Sequence, residues 1–235
     1  MAFTLNPIGV IHSCFKEKFG IPRQPGLVME AKATLELLPP FNREEAVRGL
    51  EIFSHVWITF VFHDCLTEGW KPTVRPPRLG GNKRLGVFAT RSTYRPNPIG
   101  LSVVGLEKIS VEGGSVVLHL NGVDLLDGTP VLDIKPYLPY VDSIPHATGG
   151  FAPEAPKSRF NVRFTEQARE ICHHANCPDD NLELLIMQLL SLDPRPAYYA
   201  NDNKPQQFGM RLFDYDVKWE TEGENVCVTD VVKVL

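Results

Sequence analysis

Apolar and polar positions along the first 145 residues form short alternating or fully apolar runs, separated by turns that contain Gly and Pro. Residues 56–62 (VWITFVF) are apolar on both faces and rich in β-branched and aromatic side chains, so they predict a buried strand. Residues 42–50 are the candidate helix of this half of the chain. Further strands are predicted at residues 8–12, 33–38 and 86–90.

Two hairpins complete the predicted set of strands in this region. Residues 101–109 and 115–120 flank Glu112-Gly113-Gly114, and a Gly-Gly pair is typical of hairpin turns. Residues 123–126 and 131–134 flank the turn-forming sequence Asp-Gly-Thr-Pro. Many short strands joined by such turns predict a mainly β domain, a barrel or a sandwich, over residues 1–145.

The pattern changes after a linker predicted at residues 146–158, within a stretch rich in proline. Residues 159–235 predict a small α+β domain. It begins with a strand at residues 160–164 and continues with a helix from Thr165 to about His174. A second helix ends near Leu192 and carries its apolar residues on one face, and a hairpin closes the chain.

Charge is distributed unevenly along the chain. The net charge is −4, yet residues 69–106 contain seven basic residues and no acidic residue. The other 197 residues hold 17 basic and 28 acidic residues. A basic segment within an acidic protein indicates a localised anionic partner such as nucleic acid, and a solvated basic face is the alternative. The seven residues are Lys71, Arg75, Arg78, Lys83, Arg84, Arg91 and Arg95.

The cysteines and the chain start favour a cytoplasmic protein. Five scattered cysteines, an odd number, fit free thiols in a reducing compartment better than disulfides. We expect no signal peptide and no membrane association, because no basic region precedes an apolar run and no apolar run is long enough to span a bilayer. Cys172-His173-His174-x-x-Cys177 resembles a zinc motif but lacks a second ligand pair, so we predict no metal site.

The densest group of candidate binding residues is TRSTYRPNPIG at residues 90–100. Two arginines lie four positions apart around Tyr94, and two prolines stiffen the loop that follows. Arginine forks beside an aromatic ring suit phosphates, carboxylates and bases, and a purely structural corner is the alternative. His63-Asp64 ends the buried strand, where a polar pair meets either solvent or a ligand. A Rossmann dinucleotide site is not predicted, because no Gly-x-Gly-x-x-Gly motif is present.

Several multi-residue strings resemble the TsaA/TrmO family, and together they span nearly the whole chain. The strings are PRQPG at residues 22–26, VRPPRLGGN at 74–82, FATRSTYRPNPIG at 88–100, DLLDGTP at 124–130, DIKPY at 133–137 and DPRPAY at 193–198. The resemblance implies a small β-barrel that binds S-adenosylmethionine without a Rossmann fold, followed by a smaller C-terminal domain. Bacterial members of the family are tRNA adenine N6-methyltransferases that act as homodimers.

The substrate implied by this resemblance is adenosine 37, beside the anticodon of a tRNA, already carrying an N6-threonylcarbamoyl group. The product carries an added N6-methyl group. The expected partners are therefore S-adenosylmethionine, the anticodon stem-loop and a second copy of the chain. Carried over position by position, the cofactor-binding residues are Gln24, Pro25, Gly26, His63, Asp64, Arg91, Leu101, Asp124, Leu125, Leu126 and Asp127.

The reaction expected from the resemblance is an in-line attack of N6 on the sulfonium methyl, accelerated chiefly by positioning. His63, Asp124, Asp127 and Tyr198 are candidates for the base that removes the N6 proton. Arg91 or Arg95 is expected to pair with the threonyl carboxylate. Contacts to the substrate or to tRNA phosphates are expected from Lys71, Arg75, Arg78, Lys83, Arg84, Tyr94, Arg95, Asn97, Arg195 and Tyr198.

Three other functions fit parts of the pattern. A non-catalytic RNA-binding β-barrel would use the same basic segment and aromatic residues but needs no cofactor pocket. A hydrolase of nucleotides lacks a nucleophile or metal motif in this sequence. A purely structural oligomer leaves the acid-free basic segment unexplained.

Overall fold

The computed structural model describes residues 4–177, 181–196, 199 and 204–234. Its strands in the N-terminal half are β1 (Gly9–Ser13), β2 (Ala33–Leu37), β3 (His55–Val61), β4 (Thr73–Val74), β5 (Leu85–Gly86), β6 (Ile99–Glu112), β7 (Ser115–Asn121) and β8 (Pro130–Pro136). Those in the C-terminal half are β9 (Asn161–Phe164), β10 (Gln206–Leu212), β11 (Tyr215–Glu222) and β12 (Asn225–Lys233). The α-helices are α1 (Glu44–Val47), α2 (Pro139–Asp142), α3 (Glu166–His174) and α4 (Leu182–Ser191).

Six strands of the N-terminal half close into a barrel in the order β1-β2-β7-β6-β3-β8, which confirms the predicted β-barrel. Inward-facing residues alternate with less buried ones along β1, β2, β3 and β7, as in the burial of Val56, Ile58 and Phe60 on β3. β3 lies between β6 and β8 and is antiparallel to both. The predicted hairpin of residues 101–109 and 115–120 is the β6–β7 pair, which turns at Gly113-Gly114.

Three predicted elements of this half differ from the structure. The helix predicted at residues 42–50 is limited to Glu44–Val47, because Gly49 adopts φ 88° and ends it. The strand predicted at 86–90 is the two-residue β5, followed by a 3-10 helix at Val87–Ala89. Residues 123–126 form no strand. Instead Val123 donates its main-chain N–H to Ala31 at 3.0 Å, and β8 pairs with β1 and β3.

The C-terminal half contains a four-stranded sheet in the order β10-β11-β12-β9. β9 runs parallel to β12, and the other neighbours are antiparallel. α3 packs on β9 and β12, and α4 packs on β9. The predicted helices are confirmed, with Thr165 and Asn181 accepting N-cap hydrogen bonds from Ala168 and Leu184. The apolar face of α4 is buried as predicted and consists of Leu182, Leu185, Ile186, Leu189 and Leu190.

The chain divides into two compact units, and both are discontinuous in sequence. The first contains Met1–His12, Ala33–Asn121 and Gly128–Glu154, and the second contains Ser13–Lys32, Gly122–Asp127 and Ala155–Leu235. Compactness does not establish independent folding, so the domain division at residues 1–145 and 159–235 stays a prediction. Among the described residues, no helix is both long and apolar enough to span a bilayer.

Candidate active site

Three of the residues predicted to bind the cofactor lie at one end of the barrel, where β3 ends and β6 begins. Leu101 on β6 lies opposite Thr59 on β3, and the 3-10 helix His63–Glu68 follows β3 after one residue. His63 is half-buried, whereas Asp64 is exposed. Leu101 is 54% exposed although it lies on a barrel strand. This rim therefore presents an imidazole, a carboxylate and an apolar side chain on adjacent elements.

The last residue of the FATRSTYRPNPIG string is Gly100, and close packing explains why this residue is a glycine. A Cβ atom there would lie 2.2 Å from the ring of Phe60 on the facing strand. Only glycine permits β6 to begin this close to β3, because any larger residue must displace a buried aromatic ring. Gly100 therefore sets the position of the rim rather than contacting a ligand.

The two arginines of the loop after β5 have different environments. Arg95 is half-buried, and its Nη1 donates to the carbonyl oxygens of Thr90 at 2.8 Å and Val87 at 3.4 Å. Its guanidinium also lies 5.7 Å from the centre of the Phe88 ring. Arg91 is exposed. Arg95 therefore stabilises the loop from within, and Arg91 is the arginine that the loop presents to solvent.

The remaining cations of the basic segment line the same loops. Lys71 donates its main-chain N–H to Tyr94 at 3.2 Å, and its Nζ lies 3.6 Å from the centre of the Tyr94 ring. Arg84 donates to Thr73 Oγ1 at 3.0 Å, and Arg78 donates to the carbonyl of Glu154. The exposed residues of the predicted RNA-contacting set in this unit are Lys71, Arg75, Arg78, Lys83, Arg84 and Asn97.

The predicted cofactor segment 124–127 is held within the second unit by main-chain and side-chain contacts. Both carboxylate oxygens of Asp127 are occupied: Oδ1 accepts the Ser13 N–H at 2.9 Å, and Oδ2 accepts Lys16 Nζ at 2.7 Å. The Leu125 side chain is buried, and its carbonyl accepts the Ser13 hydroxyl at 2.8 Å. Asp124 and Leu126 are half-buried. Asp127 and Leu125 therefore shape this segment.

The predicted residues Gln24, Pro25 and Gly26 lie next to this segment in the same unit. Gly26 donates its N–H to the carbonyl of Gly122 at 2.8 Å, and a Cβ on Gly122 would lie 3.3 Å from the Gly26 Cα. Both glycines have positive φ, 75° and 64°, a conformation that side chains disfavour. The structure thus places Gly26 against Gly122, two residues before the predicted segment 124–127.

Arg195 of the DPRPAY string is buried, with 3% of its surface exposed. Its Nε and Nη2 donate to the two carboxylate oxygens of Asp193 at 2.7 and 3.0 Å. Its guanidinium lies 4.7 Å from the centre of the Phe160 ring and 5.9 Å from that of Phe208. The Arg195 guanidinium makes all of these contacts inside the second unit, and it is too buried to bind a phosphate. Tyr198 lies outside the described residues.

The cysteine- and histidine-containing helix end does not assemble a ligand set. Burial, the Glu183 carboxylate and Cys177 raise the pKa of Cys172 from 9.0 to about 11, so this thiol stays protonated near neutral pH. Glu183 is engaged by Arg169 at 3.1 Å and lies 3.4 Å from His173 Nε2. No group of three or more His, Cys, Asp and Glu side chains able to hold a metal ion occurs in the part of the chain that the structure describes.

Two residues with structural roles and two exposed aromatic residues were absent from the predicted site. Ser13 and Lys16 fix the Asp127 carboxylate, and the contacts are too distant in sequence, 114 and 111 positions, for any local pattern to indicate them. Trp70 and Phe88 are exposed aromatic residues within the basic segment. The sequence feature that could have indicated them is their position among basic residues, in a stretch without Asp or Glu.

The rim of the barrel fits the chemistry of S-adenosylmethionine, the cofactor that the resemblance implies. The cofactor carries cationic sulfonium and ammonium groups, two ribose hydroxyls and an apolar adenine ring. Asp64 offers an exposed carboxylate to a cation, Leu101 offers apolar surface, and His63 offers a hydrogen-bonding ring.

Comparison with protein-family models gives two matches that cover most of the chain. The tRNA-methyltransferase O N-terminal domain matches residues 10–143. The TrmO C-terminal domain matches residues 157–234.

Individual proteins show the same similarity over their full length. The tRNA (adenine(37)-N6)-methyltransferase of Escherichia coli strain K12 is 50% identical over 218 residues, 93% of each chain. A putative S-adenosylmethionine-dependent methyltransferase of Pseudomonas aeruginosa, RcsF, is 53% identical over 223 residues, again 93% of each chain. The crystal structure of TrmO from Pseudomonas aeruginosa superimposes with a TM-score of 0.82 at 46% identity and covers 99% of both chains.

Proposed function

Because the chain belongs to the tRNA-methyltransferase O family, we propose that it transfers a methyl group from S-adenosylmethionine to N6 of adenosine 37 in a tRNA. We further propose that this adenosine already carries an N6-threonylcarbamoyl group. The observation that carries the proposal is the family match along both halves of the chain. It is supported by the barrel rim, whose polar and apolar groups lie beside the exposed basic segment of the same unit.

S-adenosylmethionine, when bound, supplies an electrophilic methyl group on a cationic sulfur. The residues proposed to hold it at the rim of the barrel are His63, Asp64 and Leu101. The Asp64 carboxylate complements a cationic ligand because it is exposed, in the 3-10 helix that follows β3. Asp127 and Leu125 act indirectly, since their polar contacts hold the loop in place.

The proton on N6 needs an acceptor, and three of the four candidate bases lie among the described residues. Asp127 is the weakest of the described candidates, because Lys16 and the Ser13 amide already occupy its carboxylate. His63 and Asp124 remain, both half-buried. We propose His63, since the unprotonated ring nitrogen of an imidazole can accept a proton and this residue lies at the rim. Tyr198 lies outside the described residues and stays a prediction.

Arg91 is proposed as the partner of the threonyl carboxylate. Arg95 is committed to the carbonyls of Thr90 and Val87, so it holds the loop that presents Arg91. An arginine fork matches a carboxylate geometrically, and plain adenosine, which lacks that carboxylate, could not form this ion pair. Substrate selection would then depend on one ion pair.

The tRNA backbone is proposed to lie along the exposed cations of the basic segment. Lys71, Arg75, Arg78, Lys83 and Arg84 present charge without an acidic residue between positions 69 and 106. Arg195 is not proposed to contact the tRNA, because its guanidinium is buried against Asp193. The cytoplasmic location and the homodimer implied by the family resemblance remain part of the proposal.

The test is methyl transfer from labelled S-adenosylmethionine to two tRNAs that differ only in the threonylcarbamoyl group at adenosine 37. We expect transfer to the modified tRNA and not to its unmodified counterpart. Arg91→Ala should lower kcat/KM about 10- to 150-fold, the range for losing a charged hydrogen bond, and Arg91→Lys should retain part of it. Lys218→Ala, an exposed cation of the second unit, is the matched control.

Calorimetric titration with S-adenosylmethionine separates this proposal from its rival. A native protein that binds tRNA but neither binds the cofactor nor transfers a methyl group, with modified tRNA present, would be a non-catalytic RNA-binding barrel. Equal methylation of both tRNAs would leave the methyltransferase standing and refute the assignment of Arg91. The mass of the complex in solution, measured with and without tRNA, tests the homodimer.

A further inference from the structure

Two large aromatic side chains in the basic segment lie outside the barrel core. Trp70 is 55% exposed and Phe88 is 73% exposed. The other two tryptophans contrast with Trp70: Trp57 donates its indole N–H to Asp142 at 3.0 Å, and Trp219 is buried. Large apolar groups left in water at one place mark an interaction surface. Neither residue has a role in the mechanism proposed above.

Main-chain pairing brings these two aromatic residues to the same end of a small ribbon. β4 and β5 are antiparallel, with Thr73 opposite Gly86. Trp70 precedes β4 and Phe88 follows β5, so both adjoin one end of this two-stranded ribbon. The N–H of Val87 donates to the carbonyl of Pro72 at 3.0 Å, which extends the pairing toward both residues.

Cations surround this end of the ribbon. Lys71 lies directly after Trp70 and places its Nζ 3.6 Å from the centre of the Tyr94 ring. The Arg95 guanidinium lies 5.7 Å from the centre of the Phe88 ring. No Asp or Glu occurs between residues 69 and 106. The surroundings of the aromatic pair are therefore suited to an anionic partner.

We propose that Trp70 and Phe88, together called the aromatic pair, form a platform on which unpaired bases of the tRNA anticodon loop stack. Single-stranded nucleic acid presents planar bases and phosphates at close intervals, which matches exposed rings set among cations. A protein partner fits less well, because the cores of protein interfaces are depleted of charged residues, whereas seven cations and no acidic residue lie between positions 69 and 106. The inference rests on the proposed function for its choice of RNA, and it adds residues that recognise the loop rather than the reacting nucleotide.

The platform has a measurable signature in the RNA itself. Stacking uses base faces and not phosphates, so its contribution disappears when the loop nucleotides are abasic and the backbone is unchanged. Removal of one stacking ring lowers affinity roughly 5- to 150-fold. The loss is tolerant of base identity, because every base has a π face.

The experiment measures binding of the full chain to an anticodon stem-loop RNA and to the same RNA with abasic loop nucleotides. We expect Trp70→Ala and Phe88→Ala to weaken binding to the intact loop within that range and to have little further effect on the abasic loop. Trp70→Phe should restore most of the affinity, since it retains a ring. Phe41→Ala removes an exposed aromatic residue outside the basic segment and is the matched control.

Fluorescence gives an independent measurement that does not depend on a loss of affinity. Intact RNA should quench the exposed Trp70, and the quenching should vanish in Trp70→Phe while that variant still binds. Normal affinity of both alanine variants would overturn the platform, and so would equal losses on intact and abasic loops. A fall in oligomeric mass for Trp70→Ala, without a base-dependent loss, would identify a second copy as the occupant and overturn it as well.

Failure of the platform and failure of the proposed function are distinguishable. If the native protein methylates tRNA and the alanine variants bind and react normally, only the platform is wrong. If the native protein transfers no methyl group yet quenches and binds as described, the platform stands and the proposed reaction is wrong.

Discussion

The basic segment of the barrel and the Arg195 site of the second unit both consist of arginine-rich loops beside aromatic rings, but they use the cations in opposite ways. In the basic segment, short 3-10 helices and two-residue strands leave most cations exposed. At Arg195, Asp193 and the Phe160 and Phe208 rings enclose the guanidinium. Both loops belong to strings that resemble one family. Burial and pairing, and not membership of a motif, therefore distinguish a ligand-binding arginine from a structural one.

The physical basis of this contrast is the cost of removing a charge from water. A buried guanidinium is tolerated when its donors are satisfied, and Arg195 also donates to Thr221 Oγ1 at 3.4 Å. An exposed arginine keeps its hydration and contributes little to stability, but it remains available to a phosphate or carboxylate. Substitutions at the two sites should therefore act on different quantities, stability at one and binding at the other.

The largest effect is expected for Arg195→Ala. This change leaves the Asp193 carboxylate without its main partner and opens space between two aromatic rings, so we expect a loss of about 3–5 kcal/mol in the free energy of unfolding. Urea denaturation followed by Trp219 fluorescence measures it, since Trp219 stacks on Phe208 at 5.9 Å. Arg84→Ala, an exposed arginine of the basic segment, is the control and should change stability by less than about 0.5 kcal/mol.

A small loss for Arg195→Ala together with a large fall in tRNA affinity would reverse the assignment. Arg195 would then leave its buried position to contact RNA, as the sequence prediction proposed. The structural role requires the opposite pattern, in which the variant is less stable and binds RNA normally at a temperature where it is folded.

The barrel was predictable from sequence because its signals are local. Alternating or fully apolar runs, with Gly-Gly at the β6–β7 turn, indicate strands and a hairpin without knowledge of their partners. The same kind of local signal wrongly predicted a strand at residues 123–126. Its apolar residues Val123 and Leu125 are buried in irregular chain, and burial alone produces the pattern of a short strand.

The candidate site was predictable only in part. Residue types placed His63 and Arg91 on loops suited to ligands, and the structure puts His63 at the barrel rim. The sequence could not show which of Arg91 and Arg95 is the structural arginine. That depends on which guanidinium donates to the Val87 and Thr90 carbonyls. The use of the Asp127 carboxylate by Lys16 likewise depends on residues 111 positions apart.

A second prediction sharpens the comparison within the basic segment. Arg95→Ala removes two hydrogen bonds to main-chain carbonyls from a half-buried cation, so we expect a loss of about 1–2 kcal/mol in the free energy of unfolding. Arg91→Ala is the matched variant, four residues away and exposed, and should lose less than about 0.5 kcal/mol. Chemical denaturation of both variants measures the difference. Equal stabilities would show that Arg95 does not hold the loop.

A pH dependence is expected in the second unit from the buried Cys172 thiol. Its pKa is raised from 9.0 to about 11, so between these values the folded chain retains a proton that the unfolded chain loses. The contribution of this thiol to the free energy of unfolding is therefore fully present below pH 9 and is lost as pH rises through 11. The loss is about 1 kcal/mol between pH 9 and 10. Denaturation at both pH values measures it, and Cys172→Ala should abolish this part of the fall. An unchanged fall in the variant would contradict the assignment.

The smallest effect on stability, and the clearest effect on binding, is expected for Arg75→Ala. Arg75 is exposed in the basic segment, so its removal should change the free energy of unfolding by less than about 0.5 kcal/mol. If it neutralises one tRNA phosphate, the slope of log affinity against log salt should decrease by about 1, uniformly among tRNAs. Lys218→Ala removes an exposed cation of the second unit and should leave the slope unchanged.

Equal salt slopes for native protein and Arg75→Ala would remove Arg75 from the RNA-binding surface. Equal reductions in both variants would mean that the cations act through net charge, and the contrast between the two regions would then not extend to binding.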